Sequence, residues 1–296
     1  MSLLASVVVA VKSDERVRRL LDRLLHQTMP ADAYEVIVVE NGSAQLSDVD
    51  GTGGVVRYLH EVQANSAVAR NAGLAAARGR YLLLTDADCV PETDWVERMV
   101  AALSIGCWAG VGGVIRKYQP STWTQRYAIT VVDGQHELSY LPALDLPYVA
   151  GANAGFVTDV VRQVGGFDPE LRSGNDVDLC YKLGLAGHRL GLVSDVVVWH
   201  EDRATVGAHF RRFRFYAVYQ VLLFAKYRPV SGRRVVLDGY PLRRVLAAVR
   251  VAPRALLRLA AGDAGPVLRA VLQVVEAAGV LAGECEGAAR FRQLYL

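Results

Sequence analysis

Short apolar segments that alternate with helical patterns constrain the fold of this chain most strongly. Residues 7–11 form an uninterrupted apolar run, which is typical of a strand buried on both faces of a parallel sheet. Apolar residues at helical spacing follow it, and Pro30 lies just beyond that predicted helix. A second apolar strand covers residues 35–39. The order predicts a parallel β-α-β unit at the start of the chain.

The same alternation continues further along the chain. Strands are predicted at residues 55–59 and 81–85, and helical patterns follow at residues 66–77 and 93–103. The fold class is therefore α/β, with a Rossmann-like, mostly parallel, doubly wound sheet. Ligands of such sheets bind at the carboxyl ends of the strands.

The rest of the chain has a different pattern. Strands and short helices are mixed in its middle part, and after Glu201 the sequence is helical with Gly and Pro breaks. Gly112-Gly113 and Gly165-Gly166 lack the motif of a phosphate-binding loop and are predicted to be turns. We predict an α/β domain over residues 1–207, divided into residues 1–118 and 119–207, and a helical segment over residues 208–296.

The composition excludes several classes of protein. The chain has 296 residues, of which 52% are hydrophobic and 21% charged, so disorder is excluded as its main state. Four cysteines without a C-x-x-C pair indicate neither a disulfide framework nor a zinc site, and they favour a reducing, cytoplasmic setting. No secretory signal is expected, because Lys12 and Asp14 interrupt the first apolar run.

Positive charge is concentrated in one region, residues 208–258, which contains twelve Lys or Arg residues against the single Asp238. The helix at its start has a stripe of apolar residues, namely Phe210, Phe213, Ala217, Val221 and Phe224. We favour packing of this stripe against the α/β domain, and a peripheral position on an anionic membrane surface is the alternative. Nucleic acid is not an expected partner, since no recognised binding motif accompanies the charge.

Acidic residues follow two of the predicted strands. Glu40 ends the second strand, and Asp86 and Asp88 follow the strand at residues 81–85. Two carboxylates at a strand exit can bind one hard divalent cation, and such a cation can neutralise a diphosphate. Alternatively, the two carboxylates are solvated surface charge. The position of the triplet directly after a buried strand favours a metal site.

A second acidic constellation opens a predicted helix at Asn175-Asp176-Val177-Asp178. Negative charge is favourable at a helix N-terminus, so capping explains these residues without any function. A carboxylate at this place in an α/β cleft can also accept a proton from an attacking hydroxyl. The pattern alone leaves both interpretations open.

Seven segments occur in the order found in one enzyme family. They are Ser6–Lys12, Val38–Ser43, Ala69–Gly73, Leu84–Asp88, Gly151–Gly155, Gly165–Pro169 and Asn175–Leu179. Over about residues 4–228 the chain thus resembles the inverting, nucleotide-sugar-dependent glycosyltransferases of family 2, which have the GT-A fold. Residues 167–183 look most similar to the mycofactocin-type glycosyltransferases.

The resemblance implies a nucleotide-sugar-binding half over residues 1–118 and an acceptor half over residues 119–207. It implies that Glu40 contacts the nucleotide base, Arg70 the base or phosphates, and Asp86 and Asp88 the donor and a Mn²⁺ or Mg²⁺ ion. Ala10 and Lys12 belong to the same donor-binding motif. Asp176 would be the general base.

Further residues are assigned around the acceptor and the metal. His200, just after a predicted strand, is the expected third metal ligand, because imidazole suits Mn²⁺ and the resemblance places a histidine nearby. A satisfied structural histidine is the equal alternative. The expected acceptor-binding residues are Gly151, Ala152, Asn153 and Trp199. Burial at the strand end is an equally common role for a tryptophan.

Three positions depart from the family pattern. Ala10 stands where the family usually has Pro, Glu40 where it has Asp, and Asn175 where many members have Glu. Glu40 has the longer side chain and is expected to shift base preference. Asn175 cannot titrate, so only Asp176 remains as the base.

The expected function is metal-dependent, inverting transfer of a hexose from a nucleoside diphosphate sugar to an acceptor hydroxyl. The acceptor class stays open among glycans, lipid-linked sugars, peptides and small natural products. One alternative is a degenerate transferase that only binds a glycan or a membrane partner, which Asn175 supports. Another is a sugar-phosphate nucleotidyltransferase, although the expected glycine-rich, Arg-containing loop is missing after Val11. We expect a cytoplasmic protein. The alternative is a protein attached peripherally to the inner face of the cell membrane.

Overall fold

The computed structural model describes residues 3–42, 54–127, 139–141, 144–231 and 239–293, without the side chains of residues 139–145. The described residues form two compact units. One unit contains the residues up to 118 together with residues 146–200. The other contains residues 119–127 and the residues after 200.

The first unit is an α/β unit. Its first half consists of β1 (Ala5–Val11), α1 (Val17–Leu25), β2 (Tyr34–Asn41), β3 (Val56–Glu61), α2 (Ser66–Ala76), β4 (Tyr81–Thr85), β5 (Cys89–Pro91), α3 (Trp95–Ser104) and β6 (Gly110–Lys117). The elements that follow are α4 (Trp123–Tyr127), β7 (Ser139–Leu141), β8 (Leu144–Tyr148), β9 (Asn153–Val157), α5 (Thr158–Gln163), α6 (Asn175–Leu185) and β10 (Leu190–His200). Of these, α4 belongs to the second unit.

An eight-stranded sheet organises this unit, with the order β3-β2-β1-β4-β9-β6-β10-β5. The pairs β1-β2, β2-β3, β1-β4 and β6-β10 are parallel, as predicted. β9 lies in the middle and is antiparallel to both β4 and β6. This strand was not expected, because its sequence, Asn-Ala-Gly-Phe-Val, lacks a β-branched apolar run.

Both faces of the sheet are covered, and β1 shows why its sequence is apolar throughout. Val7 and Val9 belong to the hydrophobic cluster on one face, and Val8 belongs to the cluster on the other. Because successive side chains of a strand point to opposite faces, only an uninterrupted apolar run satisfies both clusters.

The two glycine pairs differ in structure. Gly165 and Gly166 follow α5 with φ angles of +82° and +64°, which confirms a turn there. The prediction of a turn at Gly112-Gly113 is wrong, since both residues lie inside β6. A Cβ atom on Gly113 would lie 2.3 Å from the Val196 carbonyl oxygen, so close packing explains this glycine.

The Glu35 carboxylate is buried under the sheet and stabilises the start of β2. It accepts hydrogen bonds from the Ser6 hydroxyl at 2.8 Å and from the guanidinium groups of Arg57 and Arg78 at 2.9 and 2.8 Å. Burial alone raises the pKa of Glu35, but the hydrogen bonds from Arg78, Ser6 and Arg57 outweigh it, and the net shift is downward from 4.5.

We expect Glu35→Gln to lower the free energy of unfolding by about 2 kcal/mol at neutral pH, because both arginines lose a charged partner. Since the folded-state pKa is depressed, this contribution is present above pH 4.5 and is lost as the pH falls below that value. Urea titrations of both proteins across this range measure the difference. A difference that stays constant with pH would contradict the role of the charge.

Three long helices form most of the second unit: α7 (Val206–Ser231), α8 (Tyr240–Ala260) and α9 (Gly265–Phe291). They confirm the helical pattern predicted after Glu201. Gly279, Gly283 and Gly287 of α9 face the backbone of α7, and a Cβ atom on Gly283 would lie 2.2 Å from the Arg214 carbonyl oxygen. The absence of side chains at these three positions therefore allows the two helices to approach closely.

The predicted apolar stripe of α7 is covered within this unit. Phe213 and Ala217 form a buried cluster with Val280 of α9, and Val221 lies against Gly287. The side of α7 that carries these residues is therefore closed by α9 and is not an exposed membrane-binding face.

Among the residues that the structure describes, α9 alone has the length and apolar composition of a membrane-crossing helix. One such helix is weak evidence that a protein spans a membrane. Two fully buried carboxylates, Glu276 and Glu284, lie in this helix. Gly279, Gly283 and Gly287 of the same helix contact α7.

Candidate active site

Asp86 and Asp88 lie at the carboxyl end of β4, at the edge of the sheet where ligands of doubly wound folds bind. The Asp86 carboxylate accepts a hydrogen bond from the Arg70 guanidinium at 3.1 Å. Asp88 is buried, and one of its carboxylate oxygens lies 3.6 Å from Nη2 of Arg16. Both acids of the triplet thus have a positively charged neighbour.

The pairing of β10 with β5 brings His200 to this edge. In the antiparallel register His200 lies opposite Cys89, the residue that follows Asp88. The His200 Nε2 atom is 3.6 Å from the same oxygen of Asp88 that Arg16 approaches. His200 therefore lies beside the acidic triplet, as the sequence predicted, although 112 positions separate it from Asp88 along the chain.

Asp176 lies at the start of α6 and is oriented by backbone groups. Its Oδ2 atom accepts a hydrogen bond from the Gly151 N–H at 2.7 Å, and its Oδ1 atom lies 3.0 Å from the Val177 nitrogen. The next acid of the motif, Asp178, is fully buried and forms an ion pair with Lys182 at 2.9 Å. Of these two acids, only Asp176 is oriented toward the site.

Arg70 connects the acidic triplet to the start of α6. While one of its nitrogens binds Asp86, the other donates a hydrogen bond to the Asn175 side-chain oxygen at 2.7 Å. A Cβ atom on Gly151 would lie 2.8 Å from this guanidinium, so the loop before β9 packs directly onto it. Arg70 thereby holds together three segments that are distant in the sequence.

The charges of the site act on Asp86. The surrounding protein removes much of its hydration and raises the pKa of Asp86, although 41% of the side chain is exposed. Arg70 and His200 lower this pKa, whereas Asp88 and Asp176 raise it further. The effect of Asp176 shows that the predicted base and the acidic triplet share one electrostatic environment.

The donor chemistry of the acidic triplet suits a hard divalent cation. Two carboxylates and one imidazole, from Asp86, Asp88 and His200, are side chains that can ligate a divalent metal ion. Within the described part of the chain no three such side chains are gathered tightly enough to hold a metal as they stand. Burial and the neighbouring acids raise the pKa of the Cys89 thiol.

The remaining predicted donor-site residues lie at the ends of β1 and β2. Glu40 is buried and pairs with Val11 in the parallel register. Ala10 is half-buried in β1, and Lys12 is exposed directly after the strand. The structure brings these residues to the same edge of the sheet as the acidic triplet.

Arg16 is a site residue that the sequence analysis missed. It lies just before α1 and forms an ion pair with Asp14 at 2.7 Å in addition to its approach to Asp88. The available signal was an arginine in the loop directly after β1, the position at which parallel sheets bind ligands. Charge alone did not distinguish it from the neighbouring arginines.

Three of the four predicted acceptor residues lie in the loop before β9 or at the end of β10. Gly151 and Ala152 lie in the loop before β9, beside Asp176 and Arg70. Trp199 is half-buried, and its indole N–H donates to the Glu92 carboxylate at 2.6 Å. These three remain predicted acceptor contacts.

Asn153 has a structural role, and its assignment to the acceptor is wrong. Its side chain is fully buried, accepts a hydrogen bond from the Trp95 indole N–H at 2.8 Å, and donates to the carbonyl oxygens of Val114 and Val196 at 2.9 and 3.1 Å. With these bonds it connects α3, β6 and β10 through the central strand β9.

We therefore expect Asn153→Leu to destabilise the protein by about 3 kcal/mol, since three buried polar groups lose their partner. Thermal and urea unfolding measure the loss. Replacement of the half-buried Ala152 by Ser, at the adjacent position, serves as the control and should have little effect on stability. A folded, fully stable Asn153→Leu protein with an altered Michaelis constant for acceptor alone would contradict the structural role.

Solved structures with the same fold are glycosyltransferases. The mannosyltransferase PcManGT from Pyrobaculum calidifontis, solved with GDP-Man and Mn²⁺, matches 96% of this chain and 87% of its own with a TM-score of 0.62 at 19% identity. TarS 1-349 from S. aureus, solved with UDP-GlcNAc, matches 98% and 93% with a TM-score of 0.54 at 17% identity. These similarities show that the chain has the GT-A fold.

Sequence comparisons identify the family. The profile described as "Glycosyl transferase family 2" matches residues 6–165, and this chain belongs to that family. Glycosyltransferase AglE of Haloferax volcanii is 30% identical over 259 residues, which cover 82% of this chain and 77% of AglE. The pre-mycofactocin glycosyltransferase of Mycobacterium tuberculosis is 28% identical over 253 residues, and the match spans 82% of this chain but about half, 52%, of that relative.

Proposed function

We propose that this enzyme transfers a hexose from a nucleoside diphosphate sugar to an acceptor hydroxyl with inversion at the anomeric carbon, and that it requires Mn²⁺ or Mg²⁺. The observation that supports this proposal is the convergence of Asp176 with Asp86 and Asp88 on one edge of the sheet, through Arg70 and Gly151. An acid for proton removal and an acidic pair for a cation-bound diphosphate are the two parts that such a transfer needs.

Asp176 acts as the general base. The Gly151 N–H donates a hydrogen bond to its Oδ2 atom. This bond orients the carboxylate toward the loop that precedes β9. The acceptor hydroxyl gives its proton to this carboxylate and attacks the anomeric carbon from the face opposite the diphosphate. A single displacement of this kind inverts the anomeric configuration.

Residues 1–118 bind the donor. Glu40 contacts the base, Ala10 and Lys12 follow the nucleotide along β1, and Asp86 lies near the ribose. Arg16 and Arg70, which now pair with Asp88 and Asp86, supply positive charge for the diphosphate. The part of the catalytic domain within residues 119–207 supplies the base and contacts the acceptor through Gly151, Ala152 and Trp199.

Asp86, Asp88 and His200 would hold the cation. When bound, it stabilises the negative charge that develops on the departing nucleoside diphosphate. The structure of PcManGT with GDP-Man and Mn²⁺ supports this assignment by fold. The His200 Nε2 atom lies 3.6 Å from a carboxylate oxygen of Asp88, so both side chains can contact one ligand.

We expect Asp176→Asn to reduce kcat by at least about 10³-fold while the dissociation constant of the donor changes little, because the amide cannot accept a proton. Steady-state rates and calorimetric titration of the donor separate the two effects. Asp159→Asn, at an exposed acid on α5, is the matched control. Near-normal turnover of Asp176→Asn would remove Asp176 from this role, and retention of anomeric configuration in the product, seen by NMR, would contradict inversion.

We expect Mn²⁺ to increase the thermal stabilisation of the protein by a nucleoside diphosphate, and Asp88→Asn to abolish this increase. A ligand far above its dissociation constant raises stability by roughly 3 to 4 kcal/mol, which is measurable as a melting shift. The panel contains UDP, GDP and dTDP with their sugars, including GDP-Man and UDP-GlcNAc. An equal shift with EDTA would show that the diphosphate binds without a metal.

Two other functions are distinguished by the same assays. A nucleotidyltransferase would release pyrophosphate instead of a nucleoside diphosphate. A degenerate transferase would bind glycan without hydrolysis or transfer of any sugar nucleotide, and Asn175 in place of an acid supports it. The hydrogen bond from Arg70 to the Asn175 amide supports a positioning role for this residue and therefore the active enzyme.

The proposed location is cytoplasmic, with peripheral attachment to the anionic inner face of the cell membrane through the basic region at residues 208–258. Within this region α7 has its apolar stripe covered by α9, so the attachment depends on the residues that follow α7.

A further inference from the structure

α8 has three distinct sides. Val251 and Leu259 are exposed elsewhere on α8, but six other exposed apolar residues lie within roughly one third of the helix circumference, at about 100° per residue. These residues are Leu242, Val245, Leu246, Val249, Leu256 and Leu257, and the exposed fractions of Leu242, Val249, Leu256 and Leu257 are 63%, 62%, 61% and 73%. Soluble proteins rarely leave so many leucine and valine side chains side by side in water.

The second side of α8 is a row of arginines directly beside the apolar side. Arg243, Arg250, Arg254 and Arg258 are exposed, and the sequence of α8 contains no acidic residue. Arg258 pairs with Asp263, whereas Arg243, Arg250 and Arg254 form no ion pair with any residue that the structure describes. The row therefore carries net positive charge next to the exposed leucines.

The third side is fixed inside the helical unit. Ala248 and Ala255 are buried, and Arg244 pairs with the fully buried carboxylate of Glu276 in α9. The other oxygen of Glu276 lies 3.0 Å from Nε2 of the buried His209 in α7. If α8 rotated so that its leucines were buried, Arg244 would move away from Glu276. Loss of this partner is energetically costly because the Glu276 carboxylate is buried. The apolar side must therefore face outward.

We infer that α8 lies in the plane of a membrane surface that contains anionic lipids. Its leucine side enters the boundary between headgroups and acyl chains, and its arginine row binds the lipid phosphates. A nucleic acid would match the arginines but leave the leucines in water. In a dimer of α8 helices the leucines would be covered, but the arginine rows would gain no counter-charge. An anionic bilayer satisfies both sides at once.

This inference narrows the proposed peripheral attachment to one helix, and it does not depend on the transfer reaction. The binding assay uses the full chain with vesicles of phosphatidylcholine alone or mixed with phosphatidylglycerol. We expect co-sedimentation with the anionic vesicles, at least tenfold weaker association with the neutral ones, and a decrease as the salt concentration rises.

Two sets of variants test the two sides separately. Leu242→Ser, Val249→Ser and Leu256→Ser combined should reduce vesicle association at least tenfold with unchanged thermal stability, because these side chains contact water in the free protein. Arg243→Gln, Arg250→Gln and Arg254→Gln combined should remove the preference for anionic lipid. The matched controls are Leu185→Ser and Arg189→Gln, exposed residues of the α/β unit, and they should bind as the original protein does.

Several outcomes would overturn the inference. They are association that is unaffected by the α8 substitutions, equal losses in the control variants, and resistance to alkaline carbonate, which indicates a spanning helix. A fourth is a dimer in solution that the leucine substitutions dissociate while vesicle binding is absent. Hydrolysis and transfer of the sugar nucleotides in the donor panel are measured in parallel. The absence of both, alongside normal vesicle binding, would refute the proposed function alone.

Discussion

Burial of both faces of β1 is the constraint on which the α/β unit depends. Parallel pairing with β2 on one side and β4 on the other leaves β1 no exposed edge and no exposed face. The carboxyl ends of these three strands consequently meet at one edge, where Val11, Glu40 and Thr85 end their strands or lie beside the end. The charged residues of the candidate site lie at or beside that edge.

The sequence predicted much of this arrangement because period and position carry the information. Continuous apolar runs indicated β1, β2 and β4, and helical spacing with Gly and Pro breaks indicated α7, α8 and α9. The position of acidic residues after strands indicated Glu40, Asp86 and Asp88. These signals are local, so they do not require knowledge of which distant segments meet.

The features that were missed depend on distant contacts. β9 is held by neighbours on both sides and needs no strong propensity of its own, so Asn153 and Gly155 can occupy a central strand. In the sequence Gly113 resembles a turn residue. In the structure it is a glycine because the Val196 carbonyl oxygen packs against it. Arg16 and the covering of the α7 stripe by α9 likewise follow from packing that no local pattern encodes. The antiparallel register of β10 and β5 is a further example, since it alone explains why His200 lies beside Asp88.

The position of Arg70 has a consequence for how sequence changes combine in this enzyme. The Arg70 guanidinium group is shared between the Asp86 carboxylate and the amide of Asn175, which precedes the proposed base Asp176. Substitutions at 86 and 175 are therefore not independent, and their energetic effects should be non-additive although the residues lie 89 positions apart in the chain. An acidic residue at 175 would compete with Asp86 for the same cationic partner.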